Sequence, residues 1–75
     1  MPKERTYLHK FWGMPEYPDR MSKVYQVEGG KDFYRSYFEV ELYENNKRIK
    51  LIKIKNNSEQ YAEDIAEDWV LGVDN

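Results

Sequence analysis

The sequence predicts a small α+β domain: a three-stranded antiparallel β-meander packed against helices, in the order α-β-β-β-α. Three observations predict it. Residues 37–43 alternate large apolar with charged or tyrosine side chains, the period of a half-buried strand. Glu44-Asn45-Asn46-Lys47 interrupts that run with a turn signal. From Asn57 onward the apolar residues recur at helical spacing. At 75 residues the chain is expected to form one domain over residues 1–75.

The first element, residues 2–12, places Tyr7, Leu8, Phe11 and Trp12 at i, i+1, i+4 and i+5. That spacing puts four large side chains on one face of a short helix. Pro2 suits its first turn, Gly13 its end, and Pro15 forbids continuation. Residues 13–22 read as a connection. Residues 24–28 read as a first strand, and Gly29-Gly30-Lys31-Asp32 as a turn. The second strand is expected over residues 33–43, with Phe38, Val40 and Leu42 on one face and Tyr37, Glu39, Glu41 and Tyr43 on the other.

Asn45-Asn46 suits the centre of a tight hairpin turn, because Asn tolerates positive φ. The matching register pairs Leu42 with Ile49 and Val40 with Leu51 inside. Outside, it pairs Glu41 with Lys50 and Tyr43 with Arg48. Carried further, the same count turns Ile52 and Ile54 outward. Either a bulge near Leu51-Ile52 restores the phase, or the outer face holds a second apolar patch; the bulge is the favoured reading. The last helix is capped by Asn57 or Ser58, with Gln60 at capping-box distance from Asn57. Tyr61, Ala62, Ile65, Ala66, Trp69, Val70 and Val73 form its apolar stripe, and Gly72 marks its end.

Composition narrows the function classes. There is no Cys, which removes disulfides and thiolate metal sites. No apolar run approaches the roughly 20 residues that cross a bilayer, and the charged start lacks a signal peptide's apolar stretch. No membrane association and a cytoplasmic location are therefore expected. The Lys, Asn, Ile, Tyr and Glu usage suits an AT-rich genome such as that of many phages. Net charge is −2, but residues 47–55 carry five basic side chains and no acidic one, while residues 56–75 carry six acidic and no basic one. A basic strand beside an acidic helix reads first as an internally balanced fold.

Several segments carry a family likeness. Glu28-Gly29-Gly30-Lys31-Asp32 stands as a first strand loop, Phe38-Glu39-Val40-Glu41-Leu42 as a central strand, and Asn45-Asn46-Lys47 as a second hairpin turn. Ser58, Ala62 and Ala66 stand as a helix-start serine and two packing alanines. In this order and length the chain resembles the double-stranded RNA-binding domain over most of its length. The resemblance implies RNA contacts in three regions, but only Lys3, Arg5, His9 and Lys10 in the first element match in kind. Where the family has a lysine cluster at its second helix, this chain has Glu59, Gln60 and Glu63, and the two acidic side chains repel phosphate. The Gly-Pro-x-His signature of the first strand loop is also missing. The resemblance thus implies the fold with its RNA surface lost.

Candidate sites each have a plain structural alternative. Arg48, Lys50, Lys53 and Lys55, with Lys47, form a basic strand that suits a phosphate backbone, with Tyr25, Tyr34, Tyr37 and Tyr43 on the sheet for base stacking; lysines also protect sheet edges from stray pairing. Glu63/Glu67 and Asp64/Asp68 are i, i+4 carboxylate pairs that suit a solvated helix face as well as a cation or a phosphate mimic. His9, the single histidine, has no partner in a recognisable catalytic or metal frame. Pro15-Glu16-Tyr17-Pro18-Asp19-Arg20 has the PxxPxR spacing of a polyproline ligand, a pattern a short loop also reaches by chance.

No cofactor and no catalysis are expected, since no nucleophile motif or Gly-rich phosphate loop is present. The expected function is a non-catalytic protein-binding or regulatory module. Its expected surface is an open sheet face with Tyr34, Tyr37 and Tyr43, joined by Trp12 as an anchor. The first strand, residues 24–28, is expected to be a lightly charged edge open to a partner or to a second copy forming a homodimer. Nucleic-acid binding through Arg48, Lys50, Lys53 and Lys55 is the alternative.

Overall fold

The computed structural model describes residues 4–13, 15–28, 36–55 and 57–73. Four strands, β1 (Glu4–Trp12), β2 (Arg20–Glu28), β3 (Tyr37–Glu44) and β4 (Lys47–Ile54), precede one helix, α1 (Glu59–Leu71). The strands form a single antiparallel sheet in the order β1-β2-β3-β4. The α+β class, the antiparallel meander and the C-terminal helix agree with the sequence reading. The number of strands and the opening helix do not.

Residues 4–12 are a strand, not a helix. Tyr7 pairs with Tyr25, but His9 pairs with Val24, so Leu8 is an extra residue in a bulge. The bulge shifts the alternation by one position, and Leu8 and Phe11 pack on the core while Tyr7 and Trp12 stay exposed. Leu8 and Phe11, an i, i+3 pair, thereby share a face in a strand as they would in a helix, and the aromatic and β-branched residues of this segment fit the pleat. The element order therefore lacks the opening helix that a double-stranded RNA-binding domain implies. The N–H of Gly13 donates to the Arg20 carbonyl at 2.9 Å. A Cβ at Gly13 would collide with the Tyr17 carbonyl, so this close approach of two backbones requires glycine.

β2 begins at Arg20, within the expected connection, and is paired on both sides. Residues 24–28 are therefore not an edge; β1 and β4 are. The turn at residues 29–32, residues 33–35 of the expected second strand, and with them Tyr34, lie outside the described residues, as do Pro2 and Lys3.

The β3–β4 turn matches the sequence reading. Asn45 and Asn46 have φ of 55° and 65°, as a two-residue hairpin turn demands, and Tyr43 pairs with Arg48 as expected. A bulge does restore the phase, but at Ile49, nearer the turn than expected. Leu42 then pairs with Lys50, Val40 with Ile52 and Phe38 with Ile54. This brings Ile52 and Ile54 to the core face and replaces the expected pairing of Glu41 with Lys50 by Glu41 with Leu51.

The core lies between the sheet and α1. Val24, Val40, Ala62 and Ala66 are fully buried, with Leu42 and Ile54 close behind. The alanines let the helix approach the strands, and the Ser22 hydroxyl donates to the Ala66 carbonyl beneath it at 2.8 Å. Ser58 is the N-cap, its Oγ accepting from the Tyr61 N–H, while Gln60 donates to Asp64 instead of closing a capping box. Gly72, at φ 77°, ends the helix with the two reversed hydrogen bonds of a Schellman turn. Arg20 secures that end. Its guanidinium lies 3.9 Å from the Trp69 ring centre and 4.6 Å from that of Tyr17, and donates to the Trp69 carbonyl. Arg20 of the PxxPxR spacing is thus engaged inside the fold.

The helix lies over β2 and β3 with its edge at β1, and barely meets β4. Among the described residues, no helix is long and apolar enough to cross a membrane.

Candidate functional site

The sheet has one face under α1 and one open face, and the two offer different surfaces. On the open face, cross-strand rows run Tyr7–Tyr25–Glu39–Lys53 and Trp12–Met21–Tyr43–Arg48. The structure brings Tyr25, Tyr37 and Tyr43 to this face and adds Tyr7, which the sequence reading did not assign to a surface. Trp12 is two-thirds exposed (67 %) at its corner. Arg48 and Lys53 lie here by register, and Lys55 reaches over the Tyr37 ring at 5.7 Å. Lys50 does not join them, because its pairing with Leu42 places it on the helix side.

At the centre of the open face is a carboxylate that is almost fully covered. Glu41 is 3 % exposed. It accepts from Arg5 at 2.8 Å, from Arg48 at 3.0 Å and from the Tyr43 hydroxyl at 2.8 Å, while Arg5 also binds Glu39 at 2.8 Å. Burial raises the Glu41 pKa, but these hydrogen bonds outweigh it and hold the group below the usual carboxylate range. Burial and the bond to Glu41 both push the Tyr43 hydroxyl above its ordinary value. Arg5 is 36 residues away from Glu41 in sequence, so no local pattern reveals the pairing.

The rings around this network are already capped by cations: Arg5 lies 3.8 Å from the Tyr25 ring centre, Lys10 4.1 Å from Trp12, and Lys23 5.1 Å from Tyr43. The open face therefore satisfies itself. A stacking or apolar partner there must first displace these cations.

The other surface is a groove where α1 fails to cover β4. It holds about 570 Å³ and is lined mainly by Leu42, Ile49, Ile52, Tyr61, Ile65 and Trp69, with Lys50 on one lip and Asp64 and Asp68 on the other. Only Ala62, Ala66 and Val70 of the helical stripe are buried. Its second flank, Tyr61, Ile65, Trp69 and Val73, hangs beside β4 at steps of four residues. Tyr61 is 49 % exposed, and Ile49, pushed out by the bulge, is 52 % exposed. The Trp69 indole is fixed by a bond from Nε1 to the Tyr43 carbonyl at 3.0 Å, so that wall is preformed. The sequence reading missed the groove, although an apolar stripe of seven residues is wider than one helix–sheet contact needs.

The helix carboxylates remain on the solvent side. The Glu63 carboxyl is held above its ordinary value, chiefly by the neighbouring Glu59 carboxyl, with His9 acting in the opposite sense. Among the described residues, no group of three His, Cys, Asp or Glu side chains is placed to hold a metal ion. Comparison with family models, curated proteins and solved structures found no match.

Proposed function

We propose that this chain is a non-catalytic protein-binding module whose docking surface is the groove between α1 and β4. The observation that carries the reading is the unused half of the helical stripe. Tyr61 and Ile49, each about half exposed, face each other across a concavity walled by Ile65, Trp69 and Ile52. Covering such side chains contributes on the order of 1 kcal/mol each, enough for a few of them to anchor a partner. Apart from Lys50, Asp64 and Asp68 at its lips, the groove's lining is hydrocarbon and ring, which suits contact more than chemistry.

Paired photo-crosslinking tests this. A benzophenone amino acid at position 61 is compared with one at position 7, since Tyr61 and Tyr7 are similarly exposed, at 49 % and 54 %, on opposite faces. In cells that encode the chain, protein adducts are expected from position 61, and they are expected to disappear when Ile49→Lys charges the groove. Adducts from position 7 alone would contradict the reading.

A second reading, nucleic-acid binding on the open face, is favoured by one observation. Lys10, Lys23, Arg48, Lys53 and Lys55 share that face with Tyr7, Tyr25, Tyr37 and Tyr43. It requires a labelled single-stranded oligonucleotide to bind at low salt and to release steeply as salt rises. The capped rings and the overall net charge of −2 place it second.

A further inference from the structure

We infer that the occupant of the groove is an extended acidic segment of a partner protein, added to β4 as a fifth strand. This rests on the groove reading and specifies its ligand. β4 is an edge of the sheet, so one row of its backbone N–H and C=O groups faces outward. α1 does not overhang it, which leaves room on the helix side for a strand's inward side chains. The bulge at Ile49 ends regular pairing towards the turn, so the usable edge is Lys50 to Ile54, room for a segment of about five or six residues.

Charge selects the pattern. β4 and the residue after it carry Lys47, Arg48, Lys50, Lys53 and Lys55 without an acid. Among the described residues, Lys47, Lys50 and Lys53 take part in none of the ion pairs, which all involve Arg5, Arg20 or Arg48. The chain itself contains a segment that complements this strand. β3, on the inner side of β4, reads Phe38-Glu39-Val40-Glu41-Leu42, with Glu39 opposite Lys53 and Val40 opposite Ile52. A strand on the outer side meets the same β4 side chains. It needs the same alternation, apolar into the groove beside Ile52 and acidic on the open face beside Lys53. A second copy is a poor occupant. β4 against β4 sets lysines against lysines, and β1, with Arg5 and Lys10 against Glu4, supplies no acidic row.

The probe is a synthetic peptide with the sequence of residues 38–44, Phe-Glu-Val-Glu-Leu-Tyr-Glu, and a copy with every Glu replaced by Lys. Each is titrated into the isotopically labelled full chain and followed by amide chemical shifts. The acidic peptide is expected to move Lys50 to Ile54, Tyr61 and Ile65. Lys53→Glu, checked for folding by circular dichroism, is expected to weaken it about tenfold, and the lysine peptide is expected to regain binding to Lys53→Glu. Equal binding of both peptides, shifts confined to β1 or the open face, or no shift at all would overturn the inference. If groove crosslinks persist while the acidic peptide fails, the fifth-strand occupant is wrong and the groove reading stands. If the crosslinks fail, the groove reading itself falls.

Discussion

Ser22 and Ala66 are joined by a buried hydrogen bond, the serine hydroxyl donating to the helix carbonyl 44 residues away at 2.8 Å. Ser22 is fully buried and is the small residue over which α1 crosses β2. Ser22→Ala removes the bond but leaves the carbonyl its place in the helix, so a loss of about 1 kcal/mol is expected. Ser22→Val adds bulk under the closest helix contact and is expected to cost more, about 1–3 kcal/mol. Urea unfolding followed by tryptophan fluorescence measures both, and an unchanged midpoint for the valine variant would count against the packing described.

The carboxylate network sets an acid limb. The folded pKa of Glu41 is lowered, so its contribution is present above the ordinary carboxylate pKa of about 4.3 and is lost as pH falls through the lower folded value. Stability is expected to decline below about pH 4, and Glu41→Gln is expected to flatten that decline. The alkaline side has the opposite sign. The pKa of Tyr43 is raised, so its contribution holds below the ordinary tyrosine value of about 10 and fades as pH rises through the folded one. Ultraviolet titration of wild type against Tyr43→Phe is expected to lose the latest phenolate step.

Arg20 closes the far end of the helix. It stacks on Trp69, hydrogen-bonds the Trp69 carbonyl and reaches Glu44 at 3.4 Å, a cation where the helix dipole favours one. Arg20→Ala is expected to cost about 1–3 kcal/mol, and Arg20→Lys is expected to recover little of it, since an ammonium lacks the planar stacking surface. Thermal unfolding with fluorescence of Trp69 reads both; full recovery by lysine would show that charge alone acts here.

Two positive-φ positions give opposite signs. Asn46 has φ 65°, so Asn46→Gly is expected to be neutral or stabilising, whereas Asn46→Ala is expected to cost about 1 kcal/mol. Gly72 has φ 77°, and the Tyr17 ring occupies the space a Cβ would take. Gly72→Ala is therefore expected to cost more than Asn46→Ala. Equal losses in thermal denaturation would remove the role given to Tyr17.

The sequence made the C-terminal half readable because its signals are local. Asn45-Asn46 need only their own φ, and Ser58 and Gly72 only the helix ends. The opening strand was misread because the bulge at Leu8 gives a strand an apolar spacing that helices share. The bulge at Ile49 was anticipated but displaced, since Leu51-Ile52 looks no different from Lys50-Leu51 until pairing with β3 is fixed. The open-face network was illegible for another reason: the partners Arg5 and Glu41 meet only after β1 joins the sheet. The groove was visible only as an excess, a helical stripe broader than the strands it covers.

Amide hydrogen exchange along β4 tests the central claim most directly. With the acidic heptapeptide bound, the outward-facing amides between Lys50 and Ile54 are expected to slow at least tenfold, while those of β1, the opposite edge, stay unchanged. Unaltered exchange along β4, or slowing at β1 instead, would contradict a partner strand seated beside Ile52 and Tyr61.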